Sequence, residues 1–448
     1  MGEGQGPRNA WNLDRQLMVN VLLTIFWGIV LLSLLVVIHE GGHYLAARAF
    51  KVRVLEFMVG LPGPSIGFRP KNSRTRFGIT CVPLGGYARI AGMDETCDES
   101  RYPQVVKMLY EMGSATTSEL DEASKMVGFD IETPLYELSD WGTVACKKLH
   151  GEEYIYQAPE VDGYALGEPR ELDDPEGFIA SEREEMYISL PWWKRLVILF
   201  AGPCANLLTA IIVVTLALSI AGGTQATTTI SDAPEEYPAY AAGMRAGDTI
   251  IGINGIEVET WTDFSTAMED VEVGDEVEIT YTRDGEEYTA NIVAVESDSG
   301  TAVVGVTSGS EYVDVSVGEA FMEAITYIGQ VAVAIVGLIN PATTMDTLEN
   351  STSVIGISVL AKEAADAGFL SFIWMAALIS VSLGLMNLLP LMPLDGGRIV
   401  VETIQKIIHR PVSLKAMNAY TMVGMALVMV LFVAAMGQDI TTLASGGF

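Results

Sequence analysis

VVIHEGGHYLAARAF, residues 36–50, sets two histidines and a glutamate at the end of an apolar run. The residues leading into it, 19–38, suit the interior of a lipid bilayer, where a charge at the centre of a helix costs about 2.5–3.5 kcal/mol. Glu40 therefore needs a partner or a task. The chain has only four histidines, His39, His43, His150 and His409, and two of them stand at i and i+4 here. That spacing puts both imidazoles on one helix face, a turn apart, as a zinc ion requires. Glu40 completes an H-E-x-x-H arrangement, in which two nitrogens hold Zn2+ and the glutamate handles the proton of a metal-held water. Two buried histidines satisfied by neighbouring helices would leave Glu40 unpaired in lipid, whereas a cation compensates it. Gly41 and Gly42, each costing about 1 kcal/mol relative to alanine, give room for another backbone near the metal or for close helix packing.

Half of the 448 residues are hydrophobic and mean hydropathy is +0.32, yet 57 side chains are acidic against 26 basic. Membrane spans alternating with acidic domains reconcile these values. Stretches 19–38, 196–221, 369–394 and 417–436 are long and apolar enough to cross a hydrocarbon core of about 30 Å. A fifth, 320–339, is interrupted by Glu323 and Gln330 and suits an interfacial helix. The first is too long for a signal-peptide core and lacks a small-residue cleavage site, so it is expected in the mature chain. A formal charge of −31 argues against nucleic acid as a partner, since such binding relies on neutralising phosphates. Cys81, Cys97, Cys146 and Cys204 show no paired spacing and support neither a disulfide scaffold nor a cysteine zinc knuckle.

Between Tyr44 and Met93 stand eight Lys or Arg residues against the single acid Glu56. Lys194 and Arg195 precede the second stretch, and Arg398, Lys406, Arg410 and Lys415 separate the third from the fourth. By the positive-inside rule these segments face the cytoplasm. Residues 222–318 hold 20 acids and only Arg245 and Arg283, so they are expected outside, with both termini. Within them GMRAGDTIIGINGIEV reads as a turn, a strand and a tight Asn254-Gly255 hairpin turn. A short helix from near Thr262, the strand EVEITYTRDG, a turn at Asp284-Gly285 and the strand EYTANIVAV follow. The string AAGMRAGDTIIGINGIEVETWTDF resembles PDZ domains of the bacterial protease type, which implies peptide capture at a loop and strand edge.

Residues 101–159 read as helix, turn, helix, helix and two short strands. RYPQVVKMLYEMG and TSELDEASKMVG are amphipathic with Ser118 as the cap, TPLYELSDWG is the third helix, and VACKKL and EEYIYQA flank a His150-Gly151 turn. The pattern looks like a winged helix, but with no basic stripe it suits a protein contact or a structural role over DNA. Residues 163–185 read as an acidic linker.

Catalytic zinc usually takes three protein ligands and leaves one position for water. Asp395 is the best third ligand, because it closes the apolar run MNLLPLMPLDGG. Cys204 is its rival, although a lone membrane cysteine is more often a small packing residue. Glu402 lies farther along and is expected to pair with Arg398 by helical spacing. Asn206 in AGPCANLL and Asn387 in LGLMNLLP interrupt apolar runs, serving either a substrate carbonyl and its oxyanion or hydrogen bonding between helices. Pro203, Pro390 and Pro393 break or bend their helices and free backbone groups where a cavity must satisfy them.

HEGGH in the first stretch, AGPCAN opening the second and NLLPLMPLDGG in the third are similar to the three signatures of the site-2 protease family of intramembrane zinc metalloproteases. The PDZ-like segment between the second and third stretches resembles the regulator-of-sigma-E protease branch, here with one PDZ where the branch's namesake has two. The branch commonly reads N-x-x-P-x-P-x-x-D-G; here the second proline is displaced to Pro393, and the interval from Asn387 to Asp395 is kept. The resemblance implies His39, His43 and Asp395 as zinc ligands, Glu40 as catalytic base and Asn387 as a substrate-positioning residue, with Asn206, Gly85 and Gly86 as further positioning candidates. It also implies a β-hairpin dipping into the membrane, FGITCVPLGGYARI, whose turn lies near Gly85 and Gly86 and whose edge pairs with an unwound substrate.

The architecture expected is a polytopic α-helical membrane protein of about four transmembrane helices, with a membrane-dipping β-hairpin, an extracytoplasmic PDZ α/β domain and a cytoplasmic winged-helix-like insertion. Its segments are 17–93 for the first helix with HEGGH and the re-entrant hairpin, 94–190 for the acidic insertion and 191–221 for the second helix. Then come 222–318 for the PDZ domain, 319–367 for the interfacial helix and connection, 368–400 for the third helix with NLLPLMPLDGG, and 401–448 for a cytoplasmic loop and the fourth helix. The implied activity is hydrolysis of peptide bonds within or near the transmembrane segment of single-span proteins, such as anti-sigma factors or signal-peptide remnants. The implied setting is the bacterial inner membrane, with the lipid bilayer and a PDZ-bound peptide as further partners. Alternatives are an inactive membrane scaffold with structural zinc, against which an intact Glu40 argues, and a metal transporter, in which a peptide-binding module has no evident role.

Overall fold

A computed structural model describes residues 6–70, 74–93, 99–149, 153–161, 163–297, 301–339, 352–410 and 412–445. It separates into two compact units, one of Val214–Glu323 and one of the remainder. In the larger unit the quoted stretch forms the last turns of a single helix, α1 (Gly6–Ala49). A four-stranded sheet follows, built from β1 (Val54–Val59), β2 (Ser65–Phe68), β3 (Arg76–Thr80) and β4 (Gly86–Ile90) in the order β2-β3-β1-β4. The expected hairpin FGITCVPLGGYARI would pair β3 with β4, but both instead flank β1, β3 parallel and β4 antiparallel to it. The hairpin pairing is β2 with β3. The cause lies at Gly60, which at φ +104° lets residues 80–83 fold across the end of β1 while its N–H donates to the Gly85 carbonyl at 2.8 Å. β1 thereby takes β4 on its free side. The outer edge of β4 is left without a strand partner among the described residues.

The insertion comprises α2 (Tyr102–Met112), β5 (Ser114–Thr116), α3 (Thr117–Val127), α4 (Glu132–Asp140), β6 (Ala145–Lys148) and β7 (Tyr154–Gln157), with its strands in the order β5-β7-β6. β5 occupies the place where the sequence suggested only a turn, and the expected His150-Gly151 turn falls outside the described residues. Thr116, not Ser118, caps α3: its hydroxyl accepts from the Glu119 N–H while the Glu119 carboxylate accepts from the Thr116 N–H. Tyr102, Leu109, Leu135, Leu138, Trp141 and Tyr156 form the core. Residues 163–185 are more than the linker expected of an acidic run. They contain α5 (Pro175–Glu184), whose Ile179 enters that core and whose Glu182 meets the buried Arg53 at 2.6 Å. A cation with side-chain exposure of 3% needs such a partner, and this accounts for Glu182 and Glu185.

α6 (Trp192–Ala221) leads out of the insertion. The smaller unit holds β8 (Gly223–Asp232), α7 (Pro238–Ala241), β9 (Thr249–Ile253), β10 (Ile256–Glu257), α8 (Trp261–Glu269), β11 (Glu276–Arg283), β12 (Glu286–Val293), β13 (Val295–Glu296), β14 (Ala302–Val303) and β15 (Thr307–Val313). Its main sheet runs β12-β11-β9-β8-β15, and β10 pairs with β9 across Asn254 (φ +48°) and Gly255 (φ +77°), the tight turn that Asn-Gly favours. Arg283 pairs with the buried Asp248 at 2.6 Å.

The remaining helices are α9 (Val317–Ile339), α10 (Val354–Ala367), α11 (Phe369–Asn387), α12 (Asp395–Ile408) and α13 (Leu414–Ser445). Among the described residues five helices are long and apolar enough to cross a membrane: α1, α6, α9, α11 and α13. α9 covers the stretch expected at the interface, and on length and composition alone it also qualifies as a span. α11 stops at Asn387, short of the expected 394, because Pro390 and Pro393 have no N–H to continue a helix. Residues 388–394 make turns, and Asp395 opens α12 where the sequence suggested it closed the preceding run.

Candidate metal centre and its surroundings

α1, α6 and α12 bring His39, His43, Asn206 and Asp395 together. His39 Nε2 and His43 Nε2 lie 3.0 and 3.1 Å from Asp395 Oδ2, and 3.2 Å from each other. A tetrahedral ion with bonds of about 2.0–2.2 Å holds its ligand atoms about 3.3–3.6 Å apart, within a few tenths of an ångström of this triangle. The tautomer of His43 agrees. His43 Nδ1 donates to the Ile198 carbonyl at 2.7 Å, which leaves Nε2 of the neutral ring as a lone pair aimed at a carboxylate and a second imidazole. With His39 in the same tautomer, three acceptors are directed at one point and repel unless a cation stands among them, so these residues fit zinc. Asn206 is fully buried; its Nδ2 lies 3.4 Å from His39 Nδ1, and its Oδ1 has no partner among the described residues. Half a turn of the amide brings Oδ1 to the ring, where it accepts the Nδ1–H and frees Nε2 for the metal.

Glu40 points to the sheet. Its Oε2 accepts from the Ala88 N–H of β4 at 2.8 Å, so the unpaired strand edge runs beside the candidate centre. Gly85 (φ +83°) and Gly86 form the entry to β4, and the Ser33 hydroxyl of α1 donates to the Pro83 carbonyl of the same loop at 2.8 Å. Asn387 lies at the end of α11, where its Nδ2 donates to the Leu383 carbonyl at 3.0 Å. Cys204 is exposed on α6 and is not among the clustered donors. Glu402 meets Arg195, at the start of α6, at 2.9 Å.

A model of peptidase family M50 matches residues 27–431. The chain belongs to peptidase family M50. It is similar to "Zinc metalloprotease RasP" of Shouchella clausii, 30% identical over 95% of this chain and 100% of that one. It is also similar to "Zinc metalloprotease RasP" of Geobacillus kaustophilus, 27% identical over 94% and 99%. Among solved structures, the PDZ domain of the SdrC-like protein of Listeria monocytogenes is 26% identical over 19% of this chain and 86% of that one, with a TM-score of 0.17. As a member of M50, the site-2 protease family, the chain is a zinc metalloprotease and a multi-pass membrane protein.

Two features of this M50 protease were not singled out from the sequence. Gly202, inside AGPCAN, sits where a Cβ would overlap His43 Nε2, so the motif's glycine makes room for the imidazole. Gly396 and Gly397 admit the carbonyls of Leu388, Leu389 and Leu391, folding the turn that presents Asp395. The glycines themselves were the available signal. Of the two inside HEGGH, Gly42 has the Ala201 backbone of α6 against it and Gly41 has open space, which makes close helix packing the role of Gly42.

Proposed function

We propose that His39, His43 and Asp395 hold the zinc, that Glu40 is the general base, and that the protease cuts single-span membrane proteins inside or beside their spans. The observation that carries this is the convergence of the three donor atoms at 3.0–3.2 Å, with Glu40 one residue from the first ligand and bonded to a free strand edge. Zinc, when bound, supplies Lewis acidity toward water and a peptide carbonyl. Glu40 takes a proton from the attacking water and returns it to the leaving amine. The Ala88 N–H orients the carboxylate for that exchange. A helical substrate hides its carbonyls in i to i−4 bonds, so it must unwind; once extended, it adds to the outer edge of β4. Leu61, Ile66, Phe68, Ile79, Val82 and Leu84 are exposed on this sheet and its loops, which favours its immersion in lipid alongside α1. Asn387, at the end of α11 beside the turns leading to Asp395, is assigned to the substrate, and Asn206 to His39.

The topology follows from charge. α1 ends at the candidate centre, on the basic, cytoplasmic side, so α6 is expected to return outward and residues 222–318 to lie outside. If α9 crossed, the chain would have to recross before α11. Among the described residues between them, α10 has 14 residues, about 21 Å by helical rise, short of a core of about 30 Å, which supports the interfacial placement of α9. The smaller unit is a PDZ domain, for which the resemblance of AAGMRAGDTIIGINGIEV speaks together with a cavity of about 850 Å³ lined by Phe264, Met268, Val304 and Gly305, suited to a peptide end. The helix-strand-helix-helix-strand-strand order of the insertion supports a winged helix. Anti-sigma factors and signal-peptide remnants, already trimmed outside, suit the proposed site. Glu40→Gln should abolish cleavage of a reconstituted single-span peptide while zinc stays near one per chain. Undiminished cleavage in that variant would refute the mechanism.

A further inference from the structure

We infer that Asp140, in the insertion, is a positioning residue for the catalytic base: through Arg89 it fixes strand β4, whose Ala88 N–H holds Glu40. The inference rests on Glu40 being that base. β4 has five residues and is paired on one side only, to β1, in a register that sets Ala88 opposite Phe57 and Arg89 opposite Glu56. Period two turns the Ala88 N–H outward to Glu40 at 2.8 Å, while the side chain of the next residue, Arg89, leaves the sheet for the end of α4. There its guanidinium donates to the Asp140 carboxylate and to the Ser139 carbonyl at 3.4 Å.

The end of α4 is itself anchored to β1. Arg53 donates to the Trp141 carbonyl at 3.2 Å as well as to Glu182 and Glu185, and Gly142 (φ +73°) packs where a Cβ would overlap Leu55. One rigid corner of the insertion, Ser139–Gly142, therefore grips β1 through Arg53 and Leu55 and grips β4 through Arg89. That bracket sets the offset of the edge strand against α1. Arg89 and Asp140 have side-chain exposures of 40% and 34%, and an ion pair so accessible adds little to global stability. Positional control is where its loss should register, because displacing a reacting group by about 1 Å costs on the order of 100-fold in rate.

The test uses the full-length, zinc-loaded protein in liposomes with a fluorogenic single-span peptide. Asp140→Ala should leave the unfolding temperature unchanged, lower kcat/KM by about 10–100-fold, and raise hydrogen–deuterium exchange at 86–90. Arg89→Asp combined with Asp140→Arg should restore both protection and rate. Unchanged exchange at β4 in Asp140→Ala overturns the inference, as does a folded charge-swapped protein that recovers neither. If Asp140→Ala fails to fold, the charge-swapped protein decides alone. Activity persisting in Glu40→Gln would instead sink the assignment of the base and leave the exchange result standing, so the two failures separate.

Discussion

Two imidazoles one turn apart hold a cation well only when their outer nitrogens are already engaged. His43 meets this through the Ile198 carbonyl, and His39 through Asn206. Asn206→Ala should therefore weaken zinc binding about 10–100-fold, read by competition with a chromophoric chelator; unchanged affinity would show that the amide has no part in holding the ring. Gly202→Ala should be more damaging, since its methyl takes the volume of His43 Nε2. Zinc content should fall while helical circular dichroism persists. At this scale the sequence was informative wherever a residue was out of place chemically. Two histidines, a glutamate and an aspartate in apolar surroundings have few tasks besides metal chemistry. The role of Asn206 was ambiguous, because an amide in a membrane helix serves a substrate or a neighbour equally well until the neighbour is known. Gly202 was silent because small residues are common wherever membrane helices touch.

At the scale of elements, the hydrophobic period and the turn residues located helices and strands, but pairing depends on contacts far apart in sequence. β3 and β4 were legible as strands; that both would join β1 was not, since nothing local distinguishes a hairpin from two flanks of a third strand. α5 was hidden by its acidity, because an Asp/Glu-rich stretch reads as solvated until its buried cation is known. That cation makes a pH prediction. Burial pushes the Glu182 carboxyl up, but hydrogen bonding and attraction to Arg53 outweigh it and hold the group below its ordinary value of 4.5. A lowered folded value means the clamp contributes fully above about pH 4.5 and loses its contribution as pH falls through the folded value. The unfolding temperature should drop in that acidic range, and Glu182→Gln should flatten the drop while lowering stability at neutral pH. Thr116→Ala removes a capping box from α3 and should destabilise the insertion by about 1 kcal/mol, seen in chemical denaturation.

At the scale of the whole molecule, charge asymmetry is the most legible property. Eight basic residues against one acid in 44–93, and 20 acids against two arginines in 222–318, are not differences of fold but of the side each segment is expected to occupy. Cys146 in the insertion and a cysteine introduced at Ser265 of α8 should react with a membrane-impermeant maleimide from opposite faces of oriented vesicles. Labelling of both from one face would overturn the topology. Removal of the metal with a membrane-permeable chelator should abolish proteolysis, and zinc should restore it. What the sequence withheld at this scale is the attachment of the insertion to the sheet, because Arg53 and Arg89 look like two more cytoplasmic cations until Glu182 and Asp140 are seen opposite them.

The open edge of β4 presents outward-facing backbone groups only at alternate positions, and the Ala88 N–H among them is already held by Glu40. A guest polypeptide zipped along it can slide by two residues and keep its facing, but a slip of one turns every side chain over. Successive cuts should then leave fragments whose lengths differ by even numbers, a ladder that mass spectrometry of a slowly cleaved peptide would resolve.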